Sequence, residues 1–326
     1  MMTREELFTT AFERERESSL PPVFIRSHDR ADKLDTLRRF PFLQREGTLV
    51  VAEEQYSDYR RLWPDAFILP IPSTYTNGQS SAGRAIQYIL EESVTVGHEH
   101  IFILDDDLMS ISALYENPGS DEYASRAVKR LLPHPADRER FHYGLFALIA
   151  DAAEDAYDAE PTAALAGVQV MSPNWTVNSA ATMWKLNFGP VFPSQFMSVH
   201  VPRFMEMVGG VDPDFHEHGD DLSMTVDLLA AGGSTVMLPT FITGWRSYET
   251  ESVIRDELTA PAYRQREHDL IMAKPLGRDG YIRTRYDDQG RPWWHRVNWQ
   301  KLRKDGRVKT SEKTWKEGLV FPESLL

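Results

Sequence analysis

The hydrophobic and polar positions of this chain alternate in blocks that predict an α/β protein. Short apolar runs, expected to be strands, recur between amphipathic stretches with apolar residues at helical spacing, and most blocks end at proline or glycine. Such alternation is typical of a largely parallel sheet covered by helices. Residues 1–17 predict a charged N-terminal helix. The predicted strands are 23–25, 48–52, 67–69, 101–104, 166–171, 195–201 and 234–238, and the predicted helices are 31–40, 56–63, one from residue 84, 143–160 and 222–231.

One strand is followed directly by three carboxylates. Residues 101–104 are all apolar, as expected of a central strand buried on both faces. Asp105, Asp106 and Asp107 come next, and their mutual repulsion is costly unless a cation offsets it. Mg²⁺ and Mn²⁺ prefer carboxylate oxygens together with substrate phosphates, and ligands of open α/β sheets bind at the carboxyl ends of strands. The run predicts a metal–phosphate site; the alternative is a solvated acidic turn.

A second acidic pair, Asp220 and Asp221, stands at the start of a predicted helix that ends at Gly232 and Gly233. A carboxylate there can act as a general base towards an acceptor hydroxyl. The alternative is a helix cap followed by a first-turn acid that complements the helix dipole. Residues after the first strand and after the glycine-rich loop 78–83 are candidates for contacts to a nucleotide or its phosphates: Arg26, Ser27, Arg30 and Arg84. For Arg84 the alternative is a surface helix residue.

Composition narrows the possible functions. The 326 residues include no cysteine, which excludes disulfides, thiolate nucleophiles and cysteine-ligated metals. No signal peptide and no run of about 18 apolar residues is visible, so we expect a soluble intracellular protein without a membrane partner. The net charge of −13 argues at first against a nucleic-acid partner.

The charge is unevenly distributed. Residues 281–316 hold eleven Lys and Arg against four acids, together with four of the eight tryptophans. Basic side chains bind phosphates and aromatic rings stack on bases, so this segment is the candidate polyanion surface. The alternative, compatible with the first, is a β-hairpin turned at residues 288–290 whose tryptophans pack against the main domain.

The acidic motifs resemble those of a known superfamily. A strand followed by Asp105-x-Asp107 resembles the DxD motif of GT-A glycosyltransferases, in which aspartates hold Mn²⁺ or Mg²⁺ on the diphosphate of a nucleotide sugar. The resemblance implies Asp107 and Asp105 as metal ligands and Asp105 and Asp106 as nucleotide-sugar contacts. Residues 219–222 are similar to the Glu-Asp motif of the superfamily, with Asp220 in place of Glu. Asp221 is therefore the expected base of an inverting transfer, with Asp220 as the second candidate.

A narrower resemblance covers roughly residues 21–240. The runs 50–59, 83–91, 101–107 and 218–224 resemble the TET/JBP-associated glycosyltransferases of bacteriophages. The resemblance implies transfer from a UDP-sugar, of the UDP-glucose or UDP-GlcNAc type, to 5-hydroxymethylcytosine in phage DNA, in the cytoplasm of the infected bacterium. The 281–316 segment is expected to contact that DNA. The alternatives are a glycan or small-molecule acceptor on the same fold, and a non-catalytic nucleotide- or DNA-binding module.

The expected organisation has four parts. An N-terminal helix spans 1–20, a Rossmann-like nucleotide-sugar half with a central mixed sheet spans 21–110, an acceptor half spans 111–245, and a basic aromatic-rich extension spans 246–326. A third metal ligand is not obvious, although His268 and His295 are candidates. His98 and His100, just before the acidic strand, are expected to be loop residues.

Overall fold

The structure is a computed structural model, and it describes residues 4–76, 82–116, 128–130, 137–170, 185–188, 196–212, 220–245, 261–307 and 312–314. The first part of the chain forms α1 (Arg4–Glu17), β1 (Val23–Arg26), α2 (Asp35–Arg39), α3 (Leu43–Glu46), β2 (Gly47–Ala52), a 3₁₀ turn (Glu53–Gln55), α4 (Tyr56–Leu62), β3 (Phe67–Ile71), α5 (Ser73–Thr76), α6 (Ala82–Val96) and β4 (His100–Asp105).

The rest of the chain adds nine strands and six helices within the described ranges. These are β5 (Leu108–Glu116), β6 (Val128–Arg130), α7 (Arg138–Ala159), β7 (Ala163–Val170), β8 (Lys185–Phe188), β9 (Phe196–His200), α8 (Val201–Val208), α9 (Asp220–Ala230), β10 (Ser234–Trp245), α10 (Pro261–Ala273), α11 (Pro275–Arg278), β11 (Ile282–Tyr286), β12 (Pro292–Val297), α12 (Trp299–Lys304) and β13 (Glu312–Thr314).

A single large sheet organises the molecule. Its N-terminal half is parallel, in the order β3-β2-β1-β4, and β9 then pairs antiparallel with β4 and with β7. β10 is parallel to β7 and antiparallel to β5 and β8. The predicted α/β class with a central mixed sheet is therefore confirmed.

Alternating side chains of the strands build two cores, one on each face of the sheet. On β4, Phe102 and Leu104 join the core beneath α1, α2 and α7, while Ile101 and Ile103 join the core beneath α6, α8 and α9. Both sets are almost fully buried, which explains why the strand is apolar at every position. β4 is thus held rigidly from both sides, and so is the acidic run that follows it.

The C-terminal residues 261–307 pack on the outer face of α9 around a smaller apolar cluster. Leu222 and Val226 of α9 meet Ile271, Leu276 and their neighbours there. A partly buried ion pair joins the two parts, because Lys274 Nζ lies 2.6 Å from Asp227 Oδ2 on α9. The predicted hairpin is confirmed: β11 and β12 pair antiparallel across a turn at residues 287–291.

Most predicted elements are present, with changed bounds. One prediction is wrong: His100 is not a loop residue but the first residue of β4, because its backbone pairs with His200 of β9. None of the described helices is long and apolar enough to cross a membrane.

Candidate active site

The acidic run lies where the order of the parallel strands reverses. From β1 the chain builds outwards through β2 to β3 and then returns to place β4 on the other side of β1. At such a point the connections leave the sheet in opposite directions and open a crevice at the carboxyl ends of the strands. Arg26 ends β1 directly opposite Asp105, the last residue of β4. The predicted nucleotide contact and the predicted metal ligand are thus neighbours.

Arg26 and Asp105 form a partly buried ion pair. Both Nε and Nη2 of Arg26 lie 2.7 Å from Oδ1 of Asp105. Both donors contact the same oxygen, so Oδ1 of Asp105 is anchored on the guanidinium. Oδ2 is then the oxygen that Asp105 can offer to a ligand.

The turn from β4 into β5 is held by Thr36, a fully buried residue of α2. Its hydroxyl donates to the carbonyl of Asp105 at 2.6 Å and accepts from the backbone N–H of Leu108 at 2.9 Å. Its own backbone N–H donates to the carbonyl of Asp106 at 3.0 Å. A single threonine thus satisfies three backbone groups of the turn, which fixes the positions of the acidic residues.

Asp106 faces inward rather than towards solvent. Ser27 donates to its Oδ2, and Arg30 Nη1 lies 3.1 Å from its Oδ1. The Tyr59 hydroxyl lies 2.7 Å from Ser27 Oγ and accepts from the backbone N–H of Arg30 at 3.0 Å. Burial raises the pKa of Asp106, and Arg30 and Ser27 oppose that effect. Asp106 therefore anchors the loop after β1.

Asp107 has the least compensated environment of the three carboxylates. It is 8% exposed, and its buried Oδ1 has no hydrogen-bond partner among the described residues. Burial, followed by the nearby charges of Asp105 and Asp106, raises the pKa of Asp107 to about 8. A buried carboxylate oxygen that lacks a partner among the described residues, beside two other carboxylates, is an environment that a divalent cation stabilises. The residues present are therefore compatible with the predicted metal ion, and the roles of Asp107 and Asp105 as its ligands stay predictions.

The second acidic pair begins α9. The direction of the neighbouring strands shows at which edge of the sheet this end of the helix lies. β10 runs in the same direction as β4, because two antiparallel steps, through β9 and β7, separate them. α9 ends at Ala230, just before β10 starts at Ser234, and it packs against that strand. Its first residues, Asp220 and Asp221, therefore lie towards the edge of the sheet that carries Asp107. Their side chains fall outside the described part of the structure, so their roles stay predictions.

The remaining candidates have varied environments. Nη1 of Arg84 donates to the carbonyls of Tyr75 and Thr76, at 3.1 and 3.0 Å, and so holds the end of α5. His268 and His295 stack at 5.2 Å in the C-terminal part, with the Thr284 hydroxyl 3.1 Å from His295 Nδ1. The role of Arg84 at a phosphate and of either histidine at the metal stays a prediction.

Sequence reasoning missed two residues of this site, Thr36 and Tyr59. Both lie on predicted helices, where helical periodicity assigns them only to an amphipathic face. For Thr36 a signal existed, since a small hydroxyl side chain stands between the apolar residues Leu34 and Leu37 on a buried face. Buried hydroxyls need partners, so such a position predicts a polar contact with a neighbouring element.

Comparison with known families gives one match that spans most of the chain. The family model described as TET-Associated Glycosyltransferase matches residues 21–244. These residues include β1, the acidic run after β4, and the start of α9. No curated protein sequence matches the chain.

Several solved structures resemble the fold at low identity. Mannosyl-3-phosphoglycerate synthase from Rubrobacter xylanophilus is 12% identical, with a TM-score of 0.42 over 95% of this chain and 94% of that chain. Glucosyl-3-phosphoglycerate synthase from Mycobacterium tuberculosis, in complex with Mg²⁺ and UDP, is 10% identical, with a TM-score of 0.43 over 93% and 96%. S. aureus TarS 1–349 is 11% identical, with a TM-score of 0.40 over 79% and 66%. At such scores these likenesses assign no role to any residue of this chain.

Proposed function

Because the chain belongs to the TET-associated glycosyltransferase family, and is therefore a glycosyltransferase, we propose that it moves the sugar of a UDP-sugar onto 5-hydroxymethylcytosine in DNA. The observation that carries the proposal is the acidic run at the switch point of the sheet, inside the matched residues. There Asp107, with one buried oxygen that lacks a hydrogen-bond partner among the described residues, adjoins two arginine-held aspartates. Such a cluster suits a diphosphate bound through a cation. In a phage-infected bacterium the reaction would take place in the cytoplasm, where the DNA is.

The chemistry needs a stabilised leaving group and an activated acceptor. A Mg²⁺ or Mn²⁺ ion held by Asp107 and Asp105 would neutralise the diphosphate as its bond to the sugar breaks. Arg26 and Arg30, fixed by their aspartate partners, add positive charge at the same edge. Asp221, with Asp220 as second candidate, would take the proton of the attacking hydroxyl, and attack from the face opposite the leaving group inverts the anomeric centre.

The C-terminal hairpin supports a nucleic-acid acceptor. Arg283 and Arg296 are exposed and stand directly opposite each other across β11 and β12, and Arg285 is exposed on the same strand. Exposed guanidinium groups on neighbouring strands can contact the phosphates of a nucleic acid. Tyr286, beside them, is 56% exposed and offers a ring on which a base can stack. We assign this surface, the basic hairpin (residues 282–297), to the DNA backbone.

The decisive experiment is a transfer assay with the full-length protein. Duplexes with hydroxymethylcytosine or with plain cytosine are incubated with Mn²⁺ and either UDP-glucose or UDP-GlcNAc. The DNA is then digested to nucleosides, whose masses are measured by mass spectrometry. We expect hydroxymethylcytosine alone to gain the mass of one hexose from UDP-glucose or one N-acetylhexosamine from UDP-GlcNAc. The gain should be absent with Asp107→Asn and Asp221→Asn but kept with Asp65→Asn, an exposed control. Transfer to a glycan in the absence of any transfer to hydroxymethylated DNA would overturn the acceptor assignment.

A further inference from the structure

A cluster of metal-ligating side chains lies at the amino end of β4, the opposite end from the acidic run. Within the described residues, ligand atoms of Glu99, His100 and His200 lie within 4.8 Å of one another. His100 and His200 are directly opposed in the antiparallel pair of β4 and β9, so both side chains point to the same face of the sheet. At about 3.3 Å per residue, the length of β4 puts the cluster roughly 15–17 Å from Asp105.

We infer that this cluster is a second metal site, selective for Zn²⁺ and independent of the sugar-transfer centre. Two imidazoles and one carboxylate form a donor set typical of zinc with an open fourth position. The hard cations Mg²⁺ and Mn²⁺ prefer oxygen-only sets, which distinguishes this cluster from the site at Asp107. The proposal does not rest on the proposed function.

His100 has the hydrogen-bonding pattern of a metal ligand. Its Nε2 is buried and makes no hydrogen bond within the described part of the chain. Its other nitrogen, Nδ1, lies 3.4 Å from Oε1 of Glu154 on α7. A ligating histidine commonly donates its second N–H to a carboxylate, which fixes the tautomer and orients the ring. In a neutral ring whose Nδ1–H points to Glu154, Nε2 is the nitrogen that carries the lone pair for a cation.

The surroundings hold the two rings in place. The ring of the buried Tyr157 packs against both histidines, with centroids 5.3 and 5.4 Å away, and its hydroxyl is anchored on the carbonyl of Ser198. The nearby Arg203 guanidinium donates to backbone carbonyls at the end of α7 and the start of β7. These bonds fix the guanidinium beside His200, and burial, followed by the charge of Arg203, lowers the pKa of that histidine.

Metal binding requires two small adjustments. His200 Nδ1 caps α8 by accepting from the Arg203 backbone N–H at 3.3 Å, a long hydrogen bond. Binding through Nε2 moves the ring proton of His200 to Nδ1 and releases this cap. Donor atoms around tetrahedral zinc lie about 3.3 Å apart, so the exposed Glu99 side chain must close in by rotation. A bound ion would then link β4 to the junction of β9 with α8.

The test measures zinc binding by the untagged full-length protein. The protein is stripped with EDTA and titrated with Zn²⁺ in millimolar Mg²⁺, which occupies the oxygen-donor site, and bound zinc is counted by elemental mass spectrometry after gel filtration. We expect one tightly bound zinc per chain and a Zn²⁺-dependent rise in Tm, both lost in His100→Gln and in His200→Asn. Asparagine retains the capping group of α8 and removes the metal donor, so the fold is kept.

Two further variants make the result specific. Glu154→Gln should weaken zinc binding by about 10- to 100-fold, as expected when the hydrogen-bond partner of a ligand is removed. His98→Gln, a histidine outside the cluster, and Asp107→Asn should bind zinc as the wild type does. If wild type and His100→Gln/His200→Asn take up zinc equally, or if wild type takes up none, the proposal is overturned. Circular dichroism in EDTA checks that every variant is folded.

Discussion

At the scale of single residues, three adjacent aspartates have three different environments. Asp105 is held by Arg26, Asp106 is buried on Ser27 and Arg30, and Asp107 keeps a buried oxygen without a partner among the described residues. Sequence spacing treats the three as equivalent, and only the turn fixed by Thr36 separates them. Asp107 is the carboxylate whose negative charge the protein compensates least. Of the three, its pKa should therefore differ most between metal-free and metal-bound protein.

We predict that Asp107→Asn abolishes metal-dependent transfer, lowering kcat/KM by at least about a hundredfold, the order of effect of losing a catalytic cation ligand. In EDTA at pH 7.5 its Tm should equal or exceed that of wild type. The reason is that the folded state no longer has to hold a carboxyl whose pKa is raised to about 8. Activity assays and thermal melts measure the two effects, and Asp65→Asn is the control. Full activity in Asp107→Asn would contradict the metal assignment.

A second prediction concerns His142, which packs against Phe40 at 4.9 Å and has a buried Nδ1 without a partner among the described residues. Burial, followed by the charge of Arg138, lowers the pKa of His142 from 6.5 to about 4. The unfolded chain therefore binds a proton first as the pH falls. Above pH 6.5 His142 is neutral in both states and leaves the free energy of unfolding unchanged. Between pH 6.5 and 4 it lowers the free energy of unfolding by about 1.4 kcal/mol per pH unit.

His142→Phe removes this acid-dependent loss. Urea denaturation at pH 7 and at pH 4.5 should show the variant gaining about 2–3 kcal/mol relative to wild type over that interval. His98→Phe, the same substitution at a partly exposed position, serves as the matched control. If the free energy of unfolding changes equally with pH in His142→Phe and in wild type, His142 does not titrate in this way.

At the scale of elements, contacts from helices position the loops that carry the chemistry. The loop after β1 is tied to α4 through the Tyr59 hydroxyl, and the turn after β4 is tied to α2 through Thr36. Each bond joins residues far apart in sequence. The candidate site therefore depends on helix docking as much as on strand pairing.

We predict that Tyr59→Phe loosens the loop after β1. The variant lacks the hydroxyl that contacts both Ser27 and the backbone of Arg30, at a cost of about 1–2 kcal/mol in the free energy of unfolding. The KM for the nucleotide sugar should rise more than kcat falls, because the backbone of Arg30 loses the hydroxyl that holds it. Denaturation and steady-state kinetics test this, with Tyr56→Phe as the control on the same helix. An unchanged KM would show that Tyr59 acts only in stability.

The crossing of α1 over α7 depends on a single glycine. A Cβ added at Gly144 would lie 1.9 Å from the carbonyl oxygen of Ala11, a distance that no packing accommodates without moving a helix. Gly144→Ala should therefore destabilise the protein by several kcal/mol, about the upper range for overpacking a core. Asp158→Ala, at an exposed position of α7, is the control. A Tm within a degree or two of wild type for Gly144→Ala would contradict this close approach of the two helices.

At the scale of the whole molecule, the net charge of −13 divides into an acidic body and a basic C-terminal segment. Residues 281–316 carry a net +7, which leaves −20 on the remainder. The 261–307 part docks on α9 through an apolar cluster and the Lys274–Asp227 pair. This attachment fixes the basic hairpin to the helix whose first residues are the candidate bases. An acidic protein can therefore present one local surface to a polyanion.

That division predicts a salt-dependent interaction with DNA. Neutralising the exposed pair Arg303→Gln and Lys304→Gln on α12 should weaken duplex binding and reduce the slope of log Kd against log salt by about 1 for each phosphate that the variant no longer neutralises. Arg16→Gln together with Arg39→Gln, both exposed on the body, is the charge-matched control. Fluorescence anisotropy at several salt concentrations measures the slope. Equal slopes for the two double variants would remove α12 from the DNA-binding surface.

The order of the elements and the position of the acidic run after β4 could be predicted from the sequence, because both depend on local pattern. The bounds of elements were predicted less well where tertiary contacts determine them. β10 is predicted as 234–238 yet continues to Trp245, since pairing with β5 carries the strand past Pro239 and a shift in register. The helix predicted from residue 31 begins only at Asp35, and the carbonyl of Ala31 accepts instead from the Trp63 indole. The spacing of the three aspartates likewise could not predict that each has a different environment, because contacts with Arg26, Ser27 and Arg30 determine it.

The mixed order of the sheet also has a consequence for how the chain is made. Within the described residues β1, β2 and β3 pair only with one another and with β4, so these four strands can assemble once residue 105 has left the ribosome. The second neighbour of β4, β9, is synthesised about ninety residues later. At roughly 5–20 residues per second, that leaves one hydrogen-bonding edge of β4 open for about 5–20 s during synthesis. An apolar strand with an open edge is a template for association between nascent chains. During translation, then, the strand that ends in the acidic run is where this protein most needs a chaperone.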